Sequence, residues 1–465
     1  VDVRPANALD LKRAQAPHPY AVLAEARHEL RQPEFPGQQR FDAAGQPEAQ
    51  APPALLQAGR PPKPNLPYTP AASPLNAITG DFSLVLHVSP DAGWDRLSDF
   101  LSGVRSRLVV GMYDFTSAHV LQAVEDALSD AGRTLKLTLD HPARNPTADQ
   151  SDDETRDALG GALGGRFSGA WALTKGDPKA TAWIFPTAYH IKVAVRDDDA
   201  TWLSSGNWNN SNQPQIDLSD LPGARRIAAK SDRDWHVIAT NTDLADTFRA
   251  YLEQDFTDAN GHNATLAASP FAAASGATPL DATTVDVPAD ALAAGRSPRK
   301  FFAPTTVSGT FTVQPLLSPD NYQPQILQLI RSATSRFYMQ TQYIHPASGP
   351  NDQGHADLIQ AVQDLINGGV DVRLITSEYE TADWLEKLKD VGFDISRIRL
   401  QPKVHNKGIV VDSRKVVVSS QNWSADGTLR NRDAGLIIEN ADAAAYFERI
   451  FLYDWDNLAA QRTLL

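Results

Sequence analysis

The chain has 465 residues, 42% of them hydrophobic and 21% charged, with a net charge of -13 and no cysteine. That length exceeds one ordinary core and points to two domains, while the lack of cysteine excludes disulfides, thiolate metal sites and cysteine nucleophiles. The acidic balance argues against tight nonspecific binding to a polyanion, although a locally basic cleft on an acidic body is compatible with it.

No apolar run approaches the ~20 residues needed to span a bilayer, and no basic, apolar-cored signal peptide is visible. The chain begins at Val1, which fits removal of an upstream leader or tag. Secretion or transfer to the periplasm is the expectation, and otherwise a soluble protein.

Residues 1–80 are rich in Pro, Ala and Gln. Runs such as Pro61-Pro-Lys-Pro-Asn-Leu-Pro cannot form regular helices or central strands. The segment reads as an extended or partly disordered arm, with one short helix near Tyr20 to Leu30. Regular structure is expected from Phe82-Ser-Leu-Val-Leu-His-Val, which alternates apolar and polar as a strand does. A helix through Trp94 to Val104 follows, then a strand from Arg107. Next come a helix with Leu121, Val124 and Leu128 on one face and a strand from Leu135 to Leu139, a β-α-β-α-β order.

The second half repeats this order. Leu317-Ser-Pro-Asp matches Val88-Ser-Pro-Asp, and Ser335-Arg-Phe-Tyr matches Ser106-Arg-Leu-Val, both 229 residues apart. A helix with Leu358, Val362 and Leu365 and a strand Val370-Asp-Val-Arg-Leu-Ile complete the repeat. Repetition on this scale indicates a duplicated domain. The expected division is a Pro-rich arm (1–80), a first domain (81–256), an Ala/Thr/Pro-rich linker or insertion (257–300) and a second domain (301–465).

Each half carries H-x-K-x-x-x-x-D. The first copy is His190-Ile-Lys192-Val-Ala-Val-Arg-Asp197, with Asn207 in Ser204-Ser-Gly-Asn-Trp. The second is His405-Asn-Lys407-Gly-Ile-Val-Val-Asp412, with Asn422 in Ser419-Ser-Gln-Asn-Trp. In both, Asn lies 15 residues after Lys and 10 after Asp. With His-x-Lys in a strand, both side chains share a face. A tight turn at Asp197 or Asp412 then returns the chain as a hairpin. That hairpin brings Ser205 and Asn207, or Ser420 and Asn422, back toward the His-Lys pair.

Two histidines, two lysines and two amides suit a phosphodiester. The lysines and amides stabilise charge developing on the nonbridging oxygens. One imidazole attacks phosphorus, and the other protonates the leaving oxygen and activates the incoming water or alcohol. The residues alone leave open which imidazole does which. Asp197 and Asp412 read as turn residues holding loop amides. Trp208 and Trp423 read as packing rather than substrate platforms. Trp183, Phe185 and Tyr189 either wall an apolar entrance or fill the core. The remaining histidines read as structural. No metal and no other cofactor is needed, because the lysines neutralise the phosphate and no carboxylate or histidine cluster has ligand spacing; activity should survive EDTA.

The duplicated motif with its Ser-x-Asn tails resembles that of the phospholipase D superfamily. The resemblance covers both halves. It implies two similar α/β sandwich domains, each a mixed β-sheet flanked by helices, related by pseudo-twofold symmetry, with one site at the seam and a monomer sufficient. It implies that His190 is the nucleophile and His405 the general acid/base. It also implies that Asp234 and Asp433, in the repeated Arg233-Asp234 and Arg432-Asp433, accept a hydrogen bond from a catalytic histidine. Phospholipid at a membrane or micelle surface is the expected substrate. A nuclease of the same superfamily is the alternative, favoured by the Asn-Trp tails. A nonenzymatic binding module is disfavoured by the intact motifs, and a cardiolipin-synthase-like transferase would bring membrane-spanning helices.

Overall fold

The computed structural model describes residues 70–72, 74–140, 148–172, 185, 187–267 and 299–461, with only the backbone of 261–267. These residues all fall in one compact unit, 61–465. The helix expected near Tyr20 to Leu30, His141 and Trp183 lie outside them.

The first half contributes strands β1 (Ile78–Ser89), β2 (Arg107–Met112), β3 (Thr134–Leu139), β4 (Phe167–Trp171), β5 (Lys192–Arg196), β6 (Ala200–Ser204) and β7 (Asp234–Thr240). Its helices are α1 (Gly93–Ser102), α2 (Ala118–Ala127), α3 (Asp152–Leu163), α4 (Leu221–Ala228) and α5 (Thr242–Ala267). The second half contributes β8 (Thr305–Ser318), β9 (Arg336–Thr341), β10 (Asp371–Thr376), β11 (Ile398–Leu400), β12 (Lys407–Val411), β13 (Lys415–Ser419) and β14 (Asp433–Glu439). Its helices are α6 (Tyr322–Arg331), α7 (Gln353–Asn367), α8 (Ala382–Asp390), α9 (Ala425–Leu429) and α10 (Ala441–Asn457).

Strand order is identical in the two halves. From the middle outward it runs β1-β7-β6-β5-β2-β3-β4 on one side and β8-β14-β13-β12-β9-β10-β11 on the other. The outer three strands of each half are parallel and the inner ones antiparallel. Both halves are therefore mixed α/β layers. They also join: β1 pairs with β8, making one fourteen-stranded sheet. The pairing is itself twofold. Gly80 lies opposite Phe311 and Phe82 opposite Gly309, and the two rings stack at 5.3 Å.

The apolar core reflects this join. On one face a continuous layer runs across both halves, from Leu84, Leu86 and Trp235 to Tyr338, Phe447 and Phe451. On the other face each half keeps its own core. In and just after α2, Val124 and Leu128 are buried as expected, together with Val120 and Ala127. Leu121 is only half-buried, because Val120 faces the sheet. Helix α7 buries Leu358, Val362 and Leu365 as its spacing predicts. Helix α5 runs on to Ala267, across the position where composition changes at 257. Phe185 and Tyr189 are buried in the shared core rather than walling an entrance. Trp208 and Trp423 are likewise buried.

Candidate active site

Each HKD hairpin forms as its sequence predicts, β5–β6 and β12–β13. Asp197 and Asp412 sit at the turns with φ of 52°, a left-handed conformation that Asp tolerates better than most residues. Their carboxylates gather backbone amides: Asp197 accepts from Arg105, Ser106 and Arg107, and Asp412 from Thr334, Ser335 and Arg336. Both lie at the far end of a strand from the motif lysine.

The histidines differ from the simple strand expectation. Pairing within the hairpin sheet begins at Lys192 and Lys407, so His190 and His405 precede the ladder. Their backbone instead runs beside the opposite half. Tyr189 bridges Arg432, and Val404 bridges Arg233; the His405 amide donates to the Arg233 carbonyl at 3.1 Å. Each lysine still folds back under its own histidine, with Lys192 Nζ donating to the His190 carbonyl at 2.6 Å and Lys407 Nζ to that of His405. Both lysines are buried.

The Arg-Asp pairs complete a crossed arrangement. His190 Nδ1 lies 2.7 Å from Asp433 Oδ1, and His405 Nδ1 lies 3.0 Å from Asp234 Oδ1. Each imidazole is thus held by the carboxylate of the other half. A carboxylate on Nδ1 fixes that nitrogen as the donor and presents Nε2 for chemistry. Ser205 and Ser420 hold the carboxylates in turn, donating to Asp234 at 2.8 Å and Asp433 at 2.6 Å. The side-chain oxygens of Asn207 and Asn422 are buried without a hydrogen-bond partner.

The two carboxylates titrate in opposite directions. Burial opposes the charge of Asp234. The adjoining His405, its hydrogen bond, and the charges of His236 and Lys407 outweigh burial and hold Asp234 below the usual carboxylate range. Burial prevails at Asp433 and lifts it to about 7, against the pull of Lys192, the Ser420 hydroxyl and Lys407. The charges of both lysines reach Asp433, one from each half, which places the two motifs around one centre.

The residues beneath the site form a second crossed pair that the motif reading passed over. Arg233, fully buried, binds Asp91 at 2.8 Å within its own half and Asp454 of α10 at 3.0 Å in the other. Arg432 binds Asp320 at 2.6 Å and Asp255 of α5 at 2.7 Å. Asp91 and Asp320 are the acids of the repeated Ser-Pro-Asp, a signal that was visible but had no assigned partner. Asp114 was also missed. Burial raises it, against hydrogen bonds from Asn209 and Thr116 and the charges of Lys192 and His405, so it faces the same centre. Tyr113 beside it meets the His190 ring edge-on at 4.8 Å and lies 5.1 Å from Lys192 Nζ.

The duplicated mixed α/β fold thus brings the histidine of each motif against a carboxylate of the other half. Residues 326–455 match the family described as cardiolipin synthase, PLD-like domain. This match, confined to the second half, supports the phospholipase D superfamily resemblance of the sequence. Among solved structures it is similar to a phosphatidylserine synthase of Haemophilus influenzae Rd KW20, with 13% identity over 81% of this chain and 86% of that one and a TM-score of 0.51. It also matches Nuc, a phospholipase D family member from Salmonella typhimurium, at 23% identity over 32% of this chain and 98% of that one, TM-score 0.27. A polyphosphate kinase from Porphyromonas gingivalis matches at 12% identity over 82% of this chain and 52% of that one, TM-score 0.46. No curated protein matches by sequence. Among the described residues no helix is long and apolar enough to cross a membrane.

Proposed function

We propose that this protein is a phospholipase D-type phosphodiesterase that cleaves, or exchanges, the head-group phosphodiester of phospholipids. The observation that carries the reading is the crossed pairing of His190 with Asp433 and His405 with Asp234. His190 Nε2 attacks phosphorus, and the bond from phosphorus to the head-group oxygen breaks as that oxygen takes a proton from His405 Nε2. His405 then removes a proton from water or an alcohol, whose oxygen attacks phosphorus and releases His190. Lys192, Lys407 and the Asn207 and Asn422 amides hold the nonbridging oxygens and stabilise the charge that builds there. Asp234 and Asp433 orient the imidazoles, Ser205 and Ser420 brace those carboxylates, and Asp197 and Asp412 fix the hairpins. One chain supplies both histidines, so a monomer suffices. No cofactor takes part.

Lipid is favoured over nucleic acid by the net charge of -13 and by Asp114 facing the site, since a carboxylate there repels flanking phosphates. The family description matched by 326–455 also names a phospholipid. The test is parallel turnover of phosphatidylcholine micelles, single-stranded DNA and RNA by the wild type and His190→Ala. Lipid turnover that His190→Ala abolishes is expected. DNA or RNA cleavage that depends on His190, without lipid turnover, would replace this reading with a nuclease.

A further inference from the structure

Behind Asp234 lies a buried histidine that belongs to neither motif. His236 of β7 is fully buried; its ring stacks on His87 of β1 at 4.9 Å and lies 6.1 Å from that of Trp202. Both of its nitrogens are engaged: Nδ1 lies 2.6 Å from the Ser204 hydroxyl and Nε2 2.8 Å from the Ser89 hydroxyl. The serines decide which nitrogen carries the proton. Ser89 gives its one hydrogen to the Asn212 carbonyl, so His236 Nε2 must donate to Ser89. Ser204 accepts the Gly206 amide at 2.7 Å and gives its own hydrogen to His236 Nδ1. Burial favours the uncharged ring and lowers it to about 4, against the opposing pull of Asp234.

The result is one directed chain of hydrogen bonds, from the Gly206 amide through Ser204, His236 and Ser89 to the Asn212 carbonyl. It joins the two ends of a loop that carries Ser205, the brace of Asp234, and Asn207 of the motif. Between those ends the Asn207 amide donates to Asn212 Oδ1 at 3.1 Å, and the Asn207 carbonyl accepts from Gln213 at 3.3 Å. A glycine keeps room for the chain: a Cβ at Gly93 would strike the Ser89 hydroxyl and stand 3.2 Å from His236 Nε2.

The second half lacks this chain. Gly435 holds the repeat position of His236, and Gln421 that of Gly206. The Gln421 oxygen lies 3.3 Å from a Cβ built at Gly435, and both ends of its amide are buried without partners. Ser419, the counterpart of Ser204, donates instead to the Lys407 carbonyl at 2.7 Å. Only the last link is repeated, from Ser318 to the Gly427 carbonyl at 3.3 Å.

We propose that His236 is a positioning residue: an imidazole protonated on Nε2 alone, it clamps both ends of the 204–212 loop and so sets the Asn207 amide against the phosphate. This rests on the phosphodiesterase reading above and deepens it. The chain needs a group that takes a hydrogen on one edge and gives one on the other, and a rigid imidazole does both. Removing the ring releases the two ends of the loop together. A donor aimed at developing charge loses most of its effect when it drifts by an ångström or so.

The test is nitrogen–proton correlation NMR of the full chain, with His236 assigned by its absence from His236→Gln. A protonated Nε2 with a bare Nδ1 at neutral pH is expected; a protonated Nδ1, or a charged ring, overturns the proposal. Amide exchange reads the clamp itself. In His236→Phe the Gly206 and Asn207 amides should exchange about tenfold faster, the worth of one hydrogen bond, with Val237 and Ile238 unmoved. Unchanged exchange, or faster exchange throughout β7, overturns the clamp. Ser204→Ala cuts one link, should show the same pattern and serves if His236→Phe fails to fold. Kinetically, on bis(p-nitrophenyl) phosphate, His236→Phe should lower kcat about tenfold with KM little changed. In an Asn207→Ala background the same substitution should cost nothing further; equal cost in both backgrounds overturns action through Asn207. The NMR readings need no turnover, so a protein that cleaves no phosphodiester would sink the reading above and leave the clamp to be decided by tautomer and exchange.

Discussion

Arg233→Met removes a cation that holds two carboxylates from different halves. The side chain is fully buried, and its guanidinium bonds Asp91 Oδ1 at 2.8 Å, Asp454 Oδ2 at 3.0 Å and the Ser89 carbonyl at 3.1 Å. Burial alone would loosen the guanidinium's hold on its proton; the Asp454 and Asp91 charges more than offset this and raise it above its ordinary range. Methionine fills much of the space, so the cost is chiefly that of leaving buried carboxylates unpaired, about 3–5 kcal/mol. That is a large share of the ~5–15 kcal/mol that holds most domains folded. The loss is read from the shift in urea midpoint at constant slope. Adding Asp454→Asn should cost much less in the Arg233→Met background than in the wild type, because its partner has gone. The defect should also shrink at low pH, as Asp91, already raised by burial, takes up a proton. A loss under about 1 kcal/mol, additive with Asp454→Asn, is what an exposed pair gives and would refute an interdomain latch. Activity offers a second reading: the Arg233 carbonyl accepts the His405 amide, so variants that stay folded should lose kcat before KM changes.

The other predictions concern the site and the seam. Lys192→Met and Lys407→Met should each lower kcat about 10²–10³-fold in a phosphodiester assay, as loss of charge stabilisation does; retention of wild-type rate by either would remove it from the phosphate site. Asp433, raised to about 7 by burial, binds a proton in the folded protein that the unfolded chain, titrating near ~3.9, has already released. Its contribution is full below about pH 4 and disappears as pH rises through about 7. The wild type should therefore lose stability across that window relative to Asp433→Asn; parallel melting curves in the two proteins would contradict this. Gly408→Ala places a methyl 2.2 Å from the Trp235 ring of the other half. It should cost about 1–3 kcal/mol by overpacking, visible as a lower Tm; an unchanged Tm would mean that the two halves can part slightly at no cost.

Much of this was legible because it was written twice. The His-Lys-Asn spacing, the hairpins and the repeated Ser-Pro-Asp are local patterns, and local patterns survive in sequence. What stayed hidden was pairing across the seam. Nothing near Asp234 names His405 as its partner, and nothing near Arg233 names Asp454, 221 residues away. Such contacts depend on how two finished sheets dock, and here docking runs through β1 and β8, whose edge pairing no spacing rule predicts. The half-burial of Leu121 in α2 has a different origin: Val120 and Leu121 are both apolar, and only the sheet beneath decides which one faces inward.

The crossed wiring limits what either half can do alone. A first half cut free would keep His190, Lys192 and Asn207 but lose Asp433, which orients His190, and Asp454, which balances Arg233. Its second half would lose Asp234 and Asp255 in the same way. Duplication followed by fusion makes the reciprocal exchange unnecessary between separate chains, and it also frees the copies to diverge. The exchange of Gly206 and His236 for Gln421 and Gly435 is divergence of that kind. Two copies on separate, identical chains would have to keep identical residues at both positions. One fused chain can brace each of its two asparagine loops in its own way.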